Sequence, residues 1–256
     1  MLEIARQVID RLADGTSSPA PSTSWRATGP YRAANASKAG LVRETQIALC
    51  LYARLGSSAA VRQYLLTTAL PQPARASRES IVALLNTRLF RWQPPAWVWQ
   101  DLLAAASAED DLDLRTLLLL HAARQDCFLY DAVQHVIVTR WRQGDREVIR
   151  ADVQRYLDAV SADHPEVERW SWATRKKLAG NVLSILADYG LLMGRVRRRI
   201  IEPVVRSAVA AHLERLLLAE GIRPEALAEH PDWQLWLWTA DHVRHWQRTR
   251  DQEHWP

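Results

Sequence analysis

Apolar side chains in this sequence recur every three or four residues through nearly every segment, which is the spacing of an amphipathic α-helix. Leu41, Thr45, Leu49 and Tyr52 form one such stripe, and Gly56 follows it as a helix end. Runs of β-branched residues are scarce, and only 9 glycines occur among 256 residues, which argues against an all-β fold. The sequence therefore predicts an all-α, multi-helix bundle.

One segment favours strands instead. Residues 191–205 carry β-branched side chains around Gly194, and this pattern predicts a short β-hairpin of the winged-helix kind. Capping and stop signals set the bounds of four helices, predicted over residues 77–92, 171–189, 203–219 and from 232 onward.

Shifts in composition divide the chain into three predicted segments. Residues 1–36 are an N-terminal helix and a mobile, basic arm rich in Ser and Pro, residues 37–165 are a helical core, and residues 166–256 combine a basic helix–hairpin element with Trp-rich C-terminal helices. The last two segments are predicted to form one compact unit. No apolar stretch is long enough to cross a bilayer, and two cysteines fit a reducing compartment, so we expect a cytoplasmic protein without a membrane partner.

Charge is distributed unevenly along the chain. Residues 15–99 hold 10 basic and 2 acidic side chains, residues 100–168 hold 7 and 14, and residues 169–206 hold 9 and 2. Two interpretations stay open. The basic segments meet and polarise the surface, or they pack against the acidic segment and are neutralised by it.

Motifs that carry chemistry are missing from the sequence. It contains no GxxxxGK[ST] or GxGxxG phosphate loop and no GxSxG elbow. Cys50 and Cys127 are far apart and do not form a CxxC thiolate pair. We therefore expect no catalytic residues, no cofactor and no metal site.

The most informative segment is residues 169–206. Ser171 is placed to cap a helix, and a basic hairpin follows that helix. This is the layout of a winged-helix DNA reader, in which the helix enters the major groove and the hairpin touches the backbone or the minor groove. The predicted phosphate or groove contacts are Arg175, Lys176, Lys177, Arg195, Arg197, Arg198 and Arg199. The alternative is a solvated basic face.

The N-terminal basic arm is a second candidate contact. Its basic residues Arg26, Arg32, Lys38 and Arg43 are placed to track phosphates, and the interleaved Trp25 and Tyr31 to stack on unpaired bases. The alternative is an arm that docks an aromatic side chain onto the fold.

The order of four blocks resembles the BrxA family, the small helical component of bacteriophage-exclusion (BREX) defence systems. The blocks are KAGLVRETQIAL at 38–49, TRLF at 87–90, the apolar helical pair at 114–138, and WSWATRKKLAGNVLSILADYGLL at 170–192. The resemblance covers roughly residues 37–215. Its most specific pattern is met by Trp170, Ser171, Thr174, Lys177, Leu178, Tyr189, Gly190, Leu191 and Leu192.

The resemblance implies a helical protein, similar in part to the antitermination factor NusB, that binds double-stranded DNA without catalysis. It also implies BREX partners, namely a methyltransferase, an ATPase and a phosphatase-like protein. Two features depart from the family pattern, the Ser/Pro-rich residues 14–24 and the Trp-rich tail after Gly221.

Three hypotheses follow from these patterns. The leading one is a non-catalytic DNA-binding accessory protein of phage defence. The second is a scaffold that binds other defence proteins through the Trp-rich tail, residues 232–256, although packing of that tail onto the protein's own core is favoured. The third is an RNA-binding, NusB-like protein.

Overall fold

The computed structural model describes residues 25–34 and 38–253. This part of the chain contains twelve α-helices and three short strands. The predicted N-terminal helix and Ser/Pro-rich segment, residues 1–24, lie outside the described residues. The prediction of a mainly helical fold is confirmed. None of the described helices combines the length and the apolar character that a bilayer crossing requires.

The first four helices lie before residue 107. They are α1 (Val42–Leu55), α2 (Ser58–Tyr64, continued by a π-helical turn over Leu65–Ala69), α3 (Arg75–Leu85, continued likewise by Asn86–Phe90) and α4 (Ala96–Ala106). The Ser57 hydroxyl caps α2 by accepting the Ala60 N–H. The prediction that Ser77 caps α3 is wrong, because the N–H of Ser77 already bonds to the Ala74 carbonyl and Ala74 is the N-cap.

The centre of the fold is the helix pair over residues 112–142. It consists of α5 (Leu112–Gln125), α6 (Cys127–Ala132) and α7 (Val138–Arg142), with a π-helical turn over Val133–Ile137 joining the last two. Asp126 caps α6, since its carboxylate accepts the N–H groups of Phe128 and Leu129. Burial raises the pKa of Asp126 to about 6.

The next segment contains three helices between short strands. Its elements are β1 (Glu147–Val148), α8 (Arg150–Ala159), α9 (Pro165–Glu168), α10 (Trp172–Asp188), β2 (Leu192–Met193) and β3 (Arg198–Ile200). The hairpin β2–β3 was predicted, and its outer partner β1 was not. β3 lies between the other two strands and is antiparallel to both, with Arg199 opposite Glu147 on one side and Met193 on the other.

The C-terminal region departs most from prediction. The helix α11 (Ser207–Ala219) begins four residues after Pro203, and α12 (Ala240–Glu253) begins well after residue 232. Between them lie two 3₁₀ helices, Pro224–Glu229 and Pro231–Trp236. This part winds tightly because Trp233 and Trp236 are both buried in the core, and Leu237 ends the second 3₁₀ helix with φ 63°.

Two hydrophobic cores hold these elements together. The main core draws side chains from α4 through α12, and so from both the 37–165 and the 166–256 segments. A smaller core, which includes Val61, Leu65, Ile81 and Leu85, joins α1, α2 and α3. The Trp-rich tail belongs to the main core, as favoured from the sequence, because Trp233, Trp236 and Trp238 are at most 5% exposed.

A buried ion cluster links three distant parts of the chain. Arg124 of α5 donates to the carboxylates of Glu220 and Asp232, and Tyr130 donates to Asp232 at 2.9 Å. Glu220 also accepts the backbone N–H of Trp25 at 2.7 Å. Arg124 and Asp232 are 2% and 0% exposed, so each charge depends on its partner.

A second buried polar group consists of two histidines. The Nε2 atoms of His121 and His212 are 3.0 Å apart, and Nδ1 of His212 is 2.7 Å from Asp101 Oδ2. Burial, together with electrostatic interaction with His212 and Arg124, lowers the pKa of His121 well below its usual value. His121 is therefore neutral in the folded protein.

We expect His121 to make the fold less stable in acid. Below about pH 6.5 the unfolded chain protonates this histidine and the folded chain does not, so the free energy of unfolding falls by about 1.4 kcal/mol per pH unit. Urea titrations between pH 7 and pH 5 measure this slope in the wild type and in His121→Gln. The buried Asp126 has the opposite pH dependence, but it is present in both proteins and cancels in the comparison. Parallel curves would contradict the assignment.

Candidate nucleic-acid interface

The order of elements from α6 to β3 is that of a winged helix-turn-helix. A first helix (α6–α7) is followed by β1, a second helix (α8), a third helix (α10) and the hairpin β2–β3, and β3 pairs with β1. The four-residue helix α9 lies in the connection between α8 and α10. The helix α10 occupies the position of the recognition helix. The hairpin β2–β3, residues 192–200, occupies the position of the wing and is called the wing below.

The wing is fixed in place by Arg198. Its guanidinium donates to the Leu183 carbonyl and to the Ser184 hydroxyl of α10, and it reaches the Arg195 carbonyl at 3.3 Å. Burial lowers the pKa of Arg198. Gly194 has φ 102°, and a Cβ there would lie 2.9 Å from the Arg197 carbonyl oxygen, so the turn requires glycine. Arg198 was predicted as a DNA contact. In the structure its guanidinium instead makes hydrogen bonds to groups of the protein itself.

The other wing arginines face solvent. Arg195, Arg197 and Arg199 are all exposed. Arg197 lies 3.8 Å from Glu147 and remains 78% exposed. No carboxylate of the described residues lies within ion-pairing distance of Arg195 or Arg199, although Glu147 faces Arg199 across the strands. The wing therefore presents three cations to solvent.

The first turns of α10 carry the other predicted contacts. The Ser171 hydroxyl caps this helix through the Thr174 N–H, as predicted. Arg175 is turned inward, where it pairs with Asp158 at 2.9 Å and donates to the carbonyls of Glu168 and Trp170. Its guanidinium joins α10 to the preceding helices, which is a positioning role.

Lys176, Lys177 and Trp172 are more open. The ammonium of Lys176 lies 4.5 Å from the centre of the Trp172 ring. Lys177 is exposed, and no described side chain pairs with it. Trp172, the first residue of α10, is 67% exposed. The buried stripe begins six residues later at Leu178, because the first turns extend beyond the core.

The N-terminal basic residues do not form one group with the wing. Arg26 lies over the Tyr130 ring at 3.4 Å and 4.0 Å from Asp232, beside the buried ion cluster. Arg32 borders a cavity of about 270 Å³ that Trp92 and Cys127 also line. Tyr31, expected to stack on bases, is buried and donates to Asp131. This part of the arm docks onto the fold.

Lys38 and Arg43 flank a segment that is packed against the end of α10. Between them, the Gly40 N–H donates to Asp188 at 2.7 Å. A Cβ at Gly40 would lie 2.7 Å from that of Asp188, so the contact is close. Arg43 is exposed on α1 and borders an open groove of about 380 Å³ together with Arg54.

Two arginines beside the wing were not among the contacts predicted from the sequence. Arg150 begins α8 and lies across α10, with its Nε 3.3 Å from the position of a Cβ at Gly180. Arg146 lies over the Trp141 ring at 3.2 Å, and its carbonyl accepts the Ile200 N–H. Both belong to the acidic segment 100–168, whose net charge concealed them. The β-branched pair Val148–Ile149 was the signal for the unpredicted strand.

Both interpretations of the charge asymmetry describe part of the molecule. Arg206 pairs with Asp110 and Asp113, and Arg175 pairs with Asp158, so basic and acidic segments do neutralise each other there. Three of the wing cations and Lys177 are exposed, unlike the paired Arg175. The winged helix therefore carries an exposed positive surface of its own, besides the exposed Arg43 and Arg54 of α1.

These elements define a helical protein that carries a winged helix-turn-helix. The model of the BrxA family matches residues 29–216. The chain therefore belongs to the BrxA family, and this membership associates it with BREX phage defence. No curated protein matches it.

A solved structure supports the fold. The crystal structure of an uncharacterized protein from Magnetospirillum magneticum is similar, with a TM-score of 0.60 and 19% sequence identity. The match covers 76% of this chain and 100% of that chain. At this identity the likeness concerns the fold alone.

Proposed function

We propose that this BrxA-family protein binds double-stranded DNA through its winged helix, as a non-catalytic accessory component of a BREX system. The observation that carries the proposal is the wing, whose exposed arginines are held beside α10 by the guanidinium of Arg198. In this class of domain the helix and the wing contact DNA together.

The chemistry of the exposed residues suits a phosphate backbone. Each lysine or arginine that neutralises a phosphate releases condensed counterions, and arginine adds bidentate hydrogen bonds. Lys177, Arg195, Arg197 and Arg199 supply four such cations on two adjacent elements. Arg150 lies against α10 at Gly180. Lys176 precedes Lys177 on that helix, and both Arg150 and Lys176 are further candidate contacts.

BREX partners belong to the same proposal. A DNA-bound accessory protein would act beside the methyltransferase, the ATPase and the phosphatase-like protein of the system. The scaffold alternative loses the feature on which it was based, because Trp233 and Trp236 are buried in the protein's own core. Deleting residues 232–256 would remove part of that core, so it is not a usable test of partner binding.

Fluorescence anisotropy of a labelled random-sequence duplex tests the proposal directly. Four phosphate contacts predict that affinity falls about a hundredfold between about 50 mM and about 200 mM salt. Competition with unlabelled duplex RNA, single-stranded DNA and duplex DNA ranks the three ligands, and duplex DNA is expected to compete best. Absence of binding at the lower salt would overturn the proposal, and preferential competition by RNA would favour the NusB-like alternative.

A further inference from the structure

The tip of the wing is an apolar side chain. Val196 is 84% exposed, more than any other large hydrophobic residue in the described part of the chain. It lies between the exposed Arg195 and Arg197. An exposed valine indicates a binding role only if its loop holds it in one position.

The turn does hold it. Gly194 adopts a backbone conformation that brings the Arg197 carbonyl close, and Arg198 bonds both to the Arg195 carbonyl and to α10. The residues on either side of the tip are thereby tied to the recognition helix. Val196 cannot turn back onto the core without breaking these bonds. Its branched side chain has few rotamers, so little conformational entropy is lost when it is buried by a partner.

We propose that Val196 is a wedge that enters the minor groove of duplex DNA, partly unstacks one base step and bends the duplex. This inference rests on the proposed function, and it adds the mode of DNA engagement. Proteins that bind the minor groove commonly insert an apolar side chain between base pairs and kink the DNA by about 20–90°. Arginines beside such a wedge are attracted by the negative potential of the groove.

The charges on either side of Val196 favour DNA as the molecule that binds the wing. Arg195 and Arg197 stand on the two sides of Val196 and are placed to contact the phosphate strands that border a minor groove. Among the described residues, the carboxylate that approaches this turn is that of Glu147, which lies 3.8 Å from the Arg197 guanidinium. The Arg197 side chain is nevertheless 78% exposed. An apolar tip between two cations fits a groove whose rims are anionic and whose floor offers base faces.

The experiment measures the bend and the affinity on one DNA. A duplex of about 30 base pairs carries a donor and an acceptor dye at its two ends, so that bending raises energy transfer. The proteins compared are the wild type, Val196→Ala, Val196→Leu and Val204→Ala. Val204 is the matched control, since it is also an exposed valine, at 62%, but lies outside the wing.

Wild-type protein is expected to raise energy transfer at saturation. Val196→Ala should bind about fifteenfold more weakly, as expected when two buried methyl groups are lost, and should no longer bend the duplex. Its salt dependence should match the wild type, because the phosphate contacts remain. Val196→Leu should keep the bend, and Val204→Ala should behave as the wild type.

A second arm uses the sequence dependence of DNA stiffness. Steps such as TA unstack easily and A-tracts are stiff. Wild-type protein is expected to prefer a duplex with central TA steps over an A-tract of equal length, and Val196→Ala should lose that preference.

The outcomes separate the two proposals. Salt-dependent binding without any bend, or an unchanged bend in Val196→Ala, would overturn the wedge and leave DNA binding intact. Absence of wild-type binding to the same duplex in the anisotropy assay would overturn the proposed function, and the wedge with it.

Discussion

Replacing Asp232 by alanine is expected to lower the free energy of unfolding by about 3–5 kcal/mol, because it leaves the charge of Arg124 buried with one carboxylate fewer. Asp232 is fully buried, and besides Arg124 it accepts a hydrogen bond from Tyr130. Arg124 would keep only Glu220, and Tyr130 would lose its acceptor, in a region that excludes water. Urea unfolding followed by tryptophan fluorescence measures the loss.

Asp241→Ala is the matched control for this prediction. Asp241 also pairs with an arginine, Arg244, but its side chain is 94% exposed. Exposed ion pairs contribute less than about 1 kcal/mol, so this variant should unfold close to the wild type. Equal stabilities for the two variants would show that the buried cluster adds nothing to the fold.

The second large effect is expected on DNA binding. Replacing Arg195, Arg197 and Arg199 together by alanine should weaken duplex binding about a hundredfold near physiological salt, if each contacts one phosphate. The slope of log affinity against log salt should become shallower by about 2.7 for three lost contacts. Arg198 is left in place, because it positions the wing. Anisotropy titrations over a salt series measure both quantities.

A control of equal charge accompanies this variant. Arg54, Arg223 and Arg248 are exposed arginines on three other elements, and replacing them by alanine removes the same net charge. This second triple variant should bind nearly as the wild type does, because its charges lie outside the winged helix. Equal losses in the two triple variants would mean that binding follows net charge and not the wing.

Local signals explain how much of the fold was predictable. Ser171 caps the helix that the sequence assigned to it, and Gly56 ends the first helix as predicted. These features depend on the hydrogen bonding of neighbouring residues, which a sequence displays directly. The strand β1 was missed because it is two residues long, so its β-branched signal is weak without its partner β3, which lies about fifty residues later.

The C-terminal errors have the same origin. The tail has helical spacing of its tryptophans, yet Pro231–Trp236 is a 3₁₀ helix. Burial of Trp233 and Trp236 against distant helices decides the winding there, and the Trp236 indole donates to the Thr116 carbonyl. Tertiary packing of large side chains outweighs a local periodicity.

The candidate site was predictable as a location but not residue by residue. The sequence marked the helix and the hairpin, and both are present. It could not separate Arg195, which is exposed, from Arg198, whose guanidinium is bonded within the protein. Likewise Arg175 is paired with Asp158 on another helix. A count of charges along the chain does not record which of them find partners after folding.

The ion cluster around Arg124 has a consequence for synthesis of the chain on the ribosome. Arg124 emerges early, and its partners Glu220 and Asp232 follow 96 and 108 residues later. At about 5–20 residues per second the cation waits several seconds before a carboxylate can reach it. Until then α5 cannot close its side of the core without burying a lone charge. Completion of the native fold therefore waits until residue 232 has been synthesised, and a translation product truncated before it would expose this helix to chaperones and proteases.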